Sequence, residues 1–226
     1  MKTIRNISAA SLLLFAGCVT MPDPVPDAYL MRKTPEEGTK LEKIENAVIA
    51  KNHEIKDTQD RVKATRHSLD VEKGRLSILM DEKNLLLEKQ KQYVLENDQA
   101  KLDETRKMLA VKDNDINSQS ARVDYTTALL EQVAAQKDVA EAELAVRVAE
   151  LSYEKAVIAK DYLLKLQAAA AEAGEKDKGK SSLDAEKYDE KYRKYLDKQR
   201  EILSGKKNAL DQASVKLKIA EEKLKK

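Results

Sequence analysis

Residues 41–76 read LEKIENAVIAKNHEIKDTQDRVKATRHSLDVEKGRL. Every seventh position is apolar (Leu41, Val48, Ile55, Val62, Leu69, Leu76), and charged side chains fill most of the space between them. Sustained heptad repetition is the pattern of a long helix that lays one stripe against a partner helix. Two further runs repeat it, Leu95-Leu102-Leu109-Ile116-Val123-Leu130 and Leu196-Leu203-Leu210-Leu217-Leu224. The companion positions three residues after the first run are Ile44, Lys51, Thr58, Thr65, Glu72 and Leu79, so four of these six are polar. A stripe this narrow pairs weakly on its own and invites a partner protein or a second copy. Leu76 and Leu95 are not separated by a multiple of seven, while Met80, Leu87 and Val94 repeat in another register beside Gly74. A phase break is therefore expected near 74–95.

Composition agrees. Ala, Glu, Lys, Leu and Arg make up just over half of the 226 residues, the proportion of a coiled coil or long helix. All four prolines lie within the first 35 residues, and the remaining 191 hold only five glycines. That leaves too few turn residues for a β-sandwich or an α/β enzyme. The expected fold is all-α: elongated, coiled-coil-like long helices ending in an antiparallel α-hairpin.

The hairpin expectation rests on residues 128–226. Residues 128–171 are rich in alanine, with Ala134, Ala142, Ala145, Ala149 and Ala156 small enough for close helix approach. Residues 174–182 are polar, contain glycine and lack periodicity, hence a loop. Residues 183–226 then form a helix of matching length that folds back, with Leu196 near Tyr162 and Leu224 near the 130s. Charge supports the pairing: residues 18–175 carry 24 basic and 30 acidic side chains, net −6, and residues 176–226 carry 16 and 10, net +6. The helical segment 36–173 would reach roughly 200 Å if it were one helix. Thr34-Pro35-Glu36-Glu37 is a strong start for it, with Thr34 and Glu37 as a capping box.

The N-terminus carries an address. Lys2 and Arg5 precede an apolar and small-residue stretch, Ile7 to Gly17, too short to span a bilayer. It ends Leu14-Phe15-Ala16-Gly17-Cys18, which resembles the lipobox of bacterial lipoproteins. The resemblance implies cleavage between Gly17 and Cys18, removal of residues 1–17 as a signal peptide, and acylation of Cys18. Phe15 departs from the family pattern, whose leucine here stands one place earlier, at Leu14. Cys18 is the only cysteine, so no internal disulfide exists and acylation accounts for the lone thiol. Val19, rather than Asp, follows it, which by the same resemblance favours the outer membrane, with the periplasmic side preferred. Pro22, Pro24 and Pro26 make residues 18–35 an extended tether between acylated Cys18 and the helices. The mature chain carries 40 charges of each sign, which argues against a nucleic-acid partner.

Matches to catalytic motifs fail on context. Gly174 to Ser181 fits G-x-x-x-x-G-K-S/T, but a helix rather than a strand precedes it. Ser152–Lys155 and Ser204–Lys207 fit S-x-x-K without companion motifs. His53 with Asp57, and His67 with Asp70, share helix faces but offer too few ligands for a metal. No cofactor or catalytic residue is expected. Tyr188, Tyr192 and Tyr195 line one side of the last helix and read as core packing, with a recognition patch as the alternative. Lys226 corresponds in position only to the terminal lysine by which the murein lipoprotein of enteric bacteria is joined to peptidoglycan; the alternative is a basic helix end. The function expected is a non-catalytic, lipid-anchored spacer, scaffold or tether of the envelope. A surface adhesin or a helical component of a secretion or efflux assembly is the alternative.

Overall fold

The computed structural model describes residues 20–172 and 185–225. Gly17, Cys18, Lys226 and the expected loop at 174–182 lie outside the described residues. The fold is all-α. A 3₁₀ turn at Asp27–Tyr29 precedes three long helices: α1 (Pro35–Leu95), α2 (Gln99–Glu172) and α3 (Glu190–Leu224), with a second 3₁₀ turn at Ala185–Lys187.

The capping box forms at the start of α1. The Thr34 backbone N–H donates to Glu37 Oε2 at 2.6 Å, and the Glu37 N–H donates to Thr34 Oγ1 at 3.2 Å. The chain then reverses between α1 and α2. Asn97 takes the left-handed conformation, φ 53°. The Asp98 N–H reaches the Tyr93 carbonyl at 3.1 Å and the Asn97 N–H reaches Val94 at 3.3 Å. These two bonds are a Schellman cap, with asparagine at the position glycine usually holds. Asp98 also caps α2, its Oδ1 accepting from the Lys101 N–H at 3.1 Å.

This reversal replaces the expected register change. Along α1 the covered positions continue through Leu76, Leu79, Lys83, Leu86, Gln90 and Tyr93 in the register set by Leu41. Met80, Leu87 and Val94 are 53%, 36% and 56% exposed. Lys83 and Gln90 occupy seam positions, so the apolar pattern lapses while the packing does not. Gly74 sits within the uninterrupted helix, in open space.

The chain divides into two compact units, each with its own helix pairing. The first contains the described parts of Met1–Asn52 and Glu141–Gly205. Here α1 runs antiparallel to α2, with ion pairs Lys40–Glu154 at 2.7 Å and Lys51–Glu143 at 2.5 Å. Helix α3 packs antiparallel on α2, with Lys160–Asp189 at 2.9 Å and Arg200–Glu150 at 3.4 Å. Ala149, Ala156 and Ala159 are fully buried, which is the close approach that small side chains permit.

The second unit contains His53–Ala140 and the described part of Lys206–Lys226. Its α1/α2 seam alternates apolar and polar contacts: Ile55, Leu69 and Leu102 are buried, but so are Thr58, Thr105, Gln119 and Thr126. The threonine hydroxyls are satisfied by carbonyls one turn earlier in their own helix. The Gln119 amide crosses the seam to the Glu72 carbonyl at 2.9 Å. Lys112–Glu82 and Lys83–Asp113 pair at 2.8 and 2.6 Å along its flanks. The end of α3 adds Lys206–Asp138 and Lys216–Glu131 to α2.

The α2/α3 hairpin is present, but its register differs from the expectation. Leu196 packs with Val146, Ala149 and Tyr153 rather than with Ala159 and Tyr162. Near its other end α3 places Ala220 and Lys223 beside Asp124, Thr127 and Ala128 rather than in the 130s. The shift is about three helical turns. At the level expected for Leu196, Ala156 and Ala159 are covered instead by Tyr188 and Tyr192 together with Val25 of the N-terminal segment.

Candidate functional site

The side chains that converge most closely are in the first unit, where the segment after the cysteine meets α2 and the start of α3. Val25 is 8% exposed and joins Ala156, Ala159, Leu163, Ala185, Tyr188 and Tyr192 in one apolar cluster. Tyr29 stacks beside Tyr162 and meets Tyr188 edge-on, both at 6.2 Å between centroids. Tyr192, 1% exposed, donates its hydroxyl to the Asp23 carbonyl at 2.8 Å. Arg32 lies 5.9 Å from the Tyr162 centroid, and Lys191 lies 5.1 Å from that of Tyr192. Burial, and then the hydrogen bond with Tyr192, push the Tyr188 phenol above the ordinary tyrosine range. The hydrogen bond to Asp189 holds the Lys160 ammonium above its ordinary range.

Residues 22–30 are therefore a strap, not a free tether. Pro26 keeps the extended conformation expected of it, φ −60° and ψ 133°. That conformation lies along the helices because Val25 and Tyr29 have apolar surface to bury and the Asp23 carbonyl finds a phenol. The recognition-patch reading of Tyr188 and Tyr192 gives way to core packing, since the chain's own strap covers both. Tyr195 is half-buried against Leu196 and Val146 and does not join the strap. Asp23, Val25 and Tyr29 are the residues that sequence reasoning overlooked. Their signal was the apolar pair Tyr29-Leu30 following the prolines, too short to register as a periodic element.

The residues weighed for catalysis do not converge. His53, Asp57, His67 and Asp70 are all exposed on α1. The Ser152 hydroxyl donates to the Val148 carbonyl of its own helix, and Lys155 pairs with Glu45 at 3.4 Å. Ser204 and Lys207 are exposed, and the Gly174–Ser181 motif lies outside the described residues. Among the described residues no group of three or more His, Cys, Asp or Glu side chains could hold a metal ion. A surface hollow of about 330 Å³ lies between Ile44, Tyr153, Leu196 and Arg193, but its Arg200 is paired with Glu150 and Asp197. Among the described residues no helix is long and apolar enough to cross a membrane. Comparison with known protein families, curated proteins and solved structures finds no match to this chain.

Proposed function

We propose that the mature chain is a non-catalytic, lipid-anchored helical lipoprotein of the bacterial envelope. It is held on the periplasmic face of the outer membrane by acylated Cys18 and acts as spacer, scaffold or tether. The observation that carries this reading is the run Ala16-Gly17-Cys18, followed only five residues later by the strap at Asp23. Five residues span at most about 17 Å, so the strap would join the lipid anchor closely to the first unit. Two or three acyl chains hold such an anchor stably, where one would not. In this reading Lys226 is available to peptidoglycan as a second attachment.

Metabolic labelling with a fatty-acid analogue, followed by detergent phase separation, tests the anchor. The full-length protein is expected to label and enter the detergent phase, and Cys18→Ala to do neither. Unchanged labelling of Cys18→Ala would overturn the reading. Protease treatment of intact cells separates the periplasmic orientation, expected to be protected, from a surface adhesin. The exposed apolar side chains of α1 favour, as a second reading, a helical component of a larger assembly.

A further inference from the structure

Within the first unit, the strap at residues 22–30 and the start of α1 are held by separate sets of contacts. Val25, Tyr29 and Leu30 hold the strap against the cluster of Ala156, Ala159, Tyr188 and Tyr192. Among the described residues one hydrogen bond joins the strap to the helices, from the Tyr192 hydroxyl to the Asp23 carbonyl at 2.8 Å. Its backbone bonds, from the Tyr29 N–H to Pro26 and from the Leu30 N–H to Asp27, close within the strap itself. Proline has no N–H to lose, so lifting the strap breaks no backbone pairing between elements. Helix α1 is fixed elsewhere: Leu41 is buried, Lys40 pairs with Glu154, and Lys155 pairs with Glu45. The Thr34–Glu37 capping box uses no atom of the strap. Met31 and Lys33, at the joint between the two, are exposed. An open hollow of about 650 Å³, lined by Asp27, Leu30, Leu41 and Glu42, lies between the strap and α1.

We infer that residues 22–30 are a releasable latch, which gives the chain two distances between Cys18 and α1. With the strap docked, five residues lead from Cys18 to the first fixed point at Asp23, a reach of at most about 17 Å. With the strap released, sixteen residues lead from Cys18 to Thr34, a reach of at most about 55 Å. The use of the latch rests on the reading of Cys18 as the lipid anchor: the first unit lies close to the membrane at rest and moves out under tension, with its helices unchanged. Docked is the resting state, because release puts Val25 and the faces of Ala156, Ala159, Tyr188 and Tyr192 back into water. Tension favours the released state because it is the longer one. The prolines make the exchange reversible. Pro26 holds φ −60° and ψ 133° in the docked strap, the conformation a free proline-rich chain prefers. Redocking therefore has little backbone order left to impose.

Force spectroscopy on the unacylated full-length chain tests this, with DNA handles on the Cys18 thiol and on Lys43→Cys, an exposed position of α1. The expected trace hops reversibly between two lengths no more than about 40 Å apart, below the force at which α1 leaves α2. Tyr192→Phe keeps the ring and removes the bond to Asp23, and should populate the longer state roughly fivefold more at a given force. Val25→Asp should remove the shorter state while helicity by circular dichroism stays unchanged. Absence of hops, a lengthening seen only as α1 unfolds, or identical hops in Tyr192→Phe and its parent would each overturn the latch. The thiol carries no lipid in this measurement, so a failure of fatty-acid labelling would remove the anchor and leave the two lengths standing.

Discussion

Asn97 and Tyr188 each settle something a helical pattern leaves open. The left-handed backbone at Asn97 ends α1, since an L-residue adopts that conformation only singly and asparagine tolerates it better than most. The chain reverses there without glycine or proline, so none of the usual turn residues marks the reversal in the sequence. Tyr188 holds its proton more tightly in the folded chain than an exposed tyrosine does, because burial disfavours the phenolate. Its contribution to stability is therefore fully present below the ordinary tyrosine range and is lost as pH rises beyond it. Thermal unfolding followed by circular dichroism should show the wild-type melting temperature falling steeply on that alkaline limb, and Tyr188→Phe falling less. Parallel curves for the two proteins would refute the assignment.

At the level of elements, the helices follow from period and capping, and their mutual register from packing. The α1/α2 seam tolerates Thr58, Thr105 and Thr126 because each hydroxyl bonds within its own helix and asks nothing of the partner. Equal helix lengths around a central loop predict a different α2/α3 register from the one that packing sets. Length matching assumes that the last helix starts right after the loop, but α3 begins only at Glu190 and Val25 packs with Tyr188 and Tyr192 over Ala156 and Ala159, so Leu196 sits about three turns nearer the start of α2. Paired cysteines check this in a Cys18→Ala background under mild oxidation. Ala149→Cys with Leu196→Cys should close an intrachain disulfide, and Ala159→Cys with Leu196→Cys should remain reduced. The opposite pattern would restore the register expected from sequence.

Over the whole molecule the charge asymmetry between residues 18–175 and 176–226 finds its use internally. In one unit Arg200 meets Glu150, and in the other Lys206 and Lys216 meet Asp138 and Glu131. Each exposed pair contributes about 0–1 kcal/mol, so these contacts favour the folded-back pairing without supplying its main stability. Lys206→Glu with Lys216→Glu should destabilise the chain by about 1–2 kcal/mol at low salt, and about 1 M salt should recover much of that. A loss that is insensitive to salt would assign the effect to the lysine stems instead. What the sequence alone determined was local. The helices, the Thr34–Glu37 cap and the apolar stripes each depend on residues within a few turns of one another, and the opposed charges are a count over each segment. Only the tertiary structure decided where the stripes find partners. The three-turn register shift and the strap depend on which surfaces remain uncovered once the helices meet. The bond from Tyr192 to Asp23 joins residues 169 apart, and no periodicity in the chain encodes a contact at that separation.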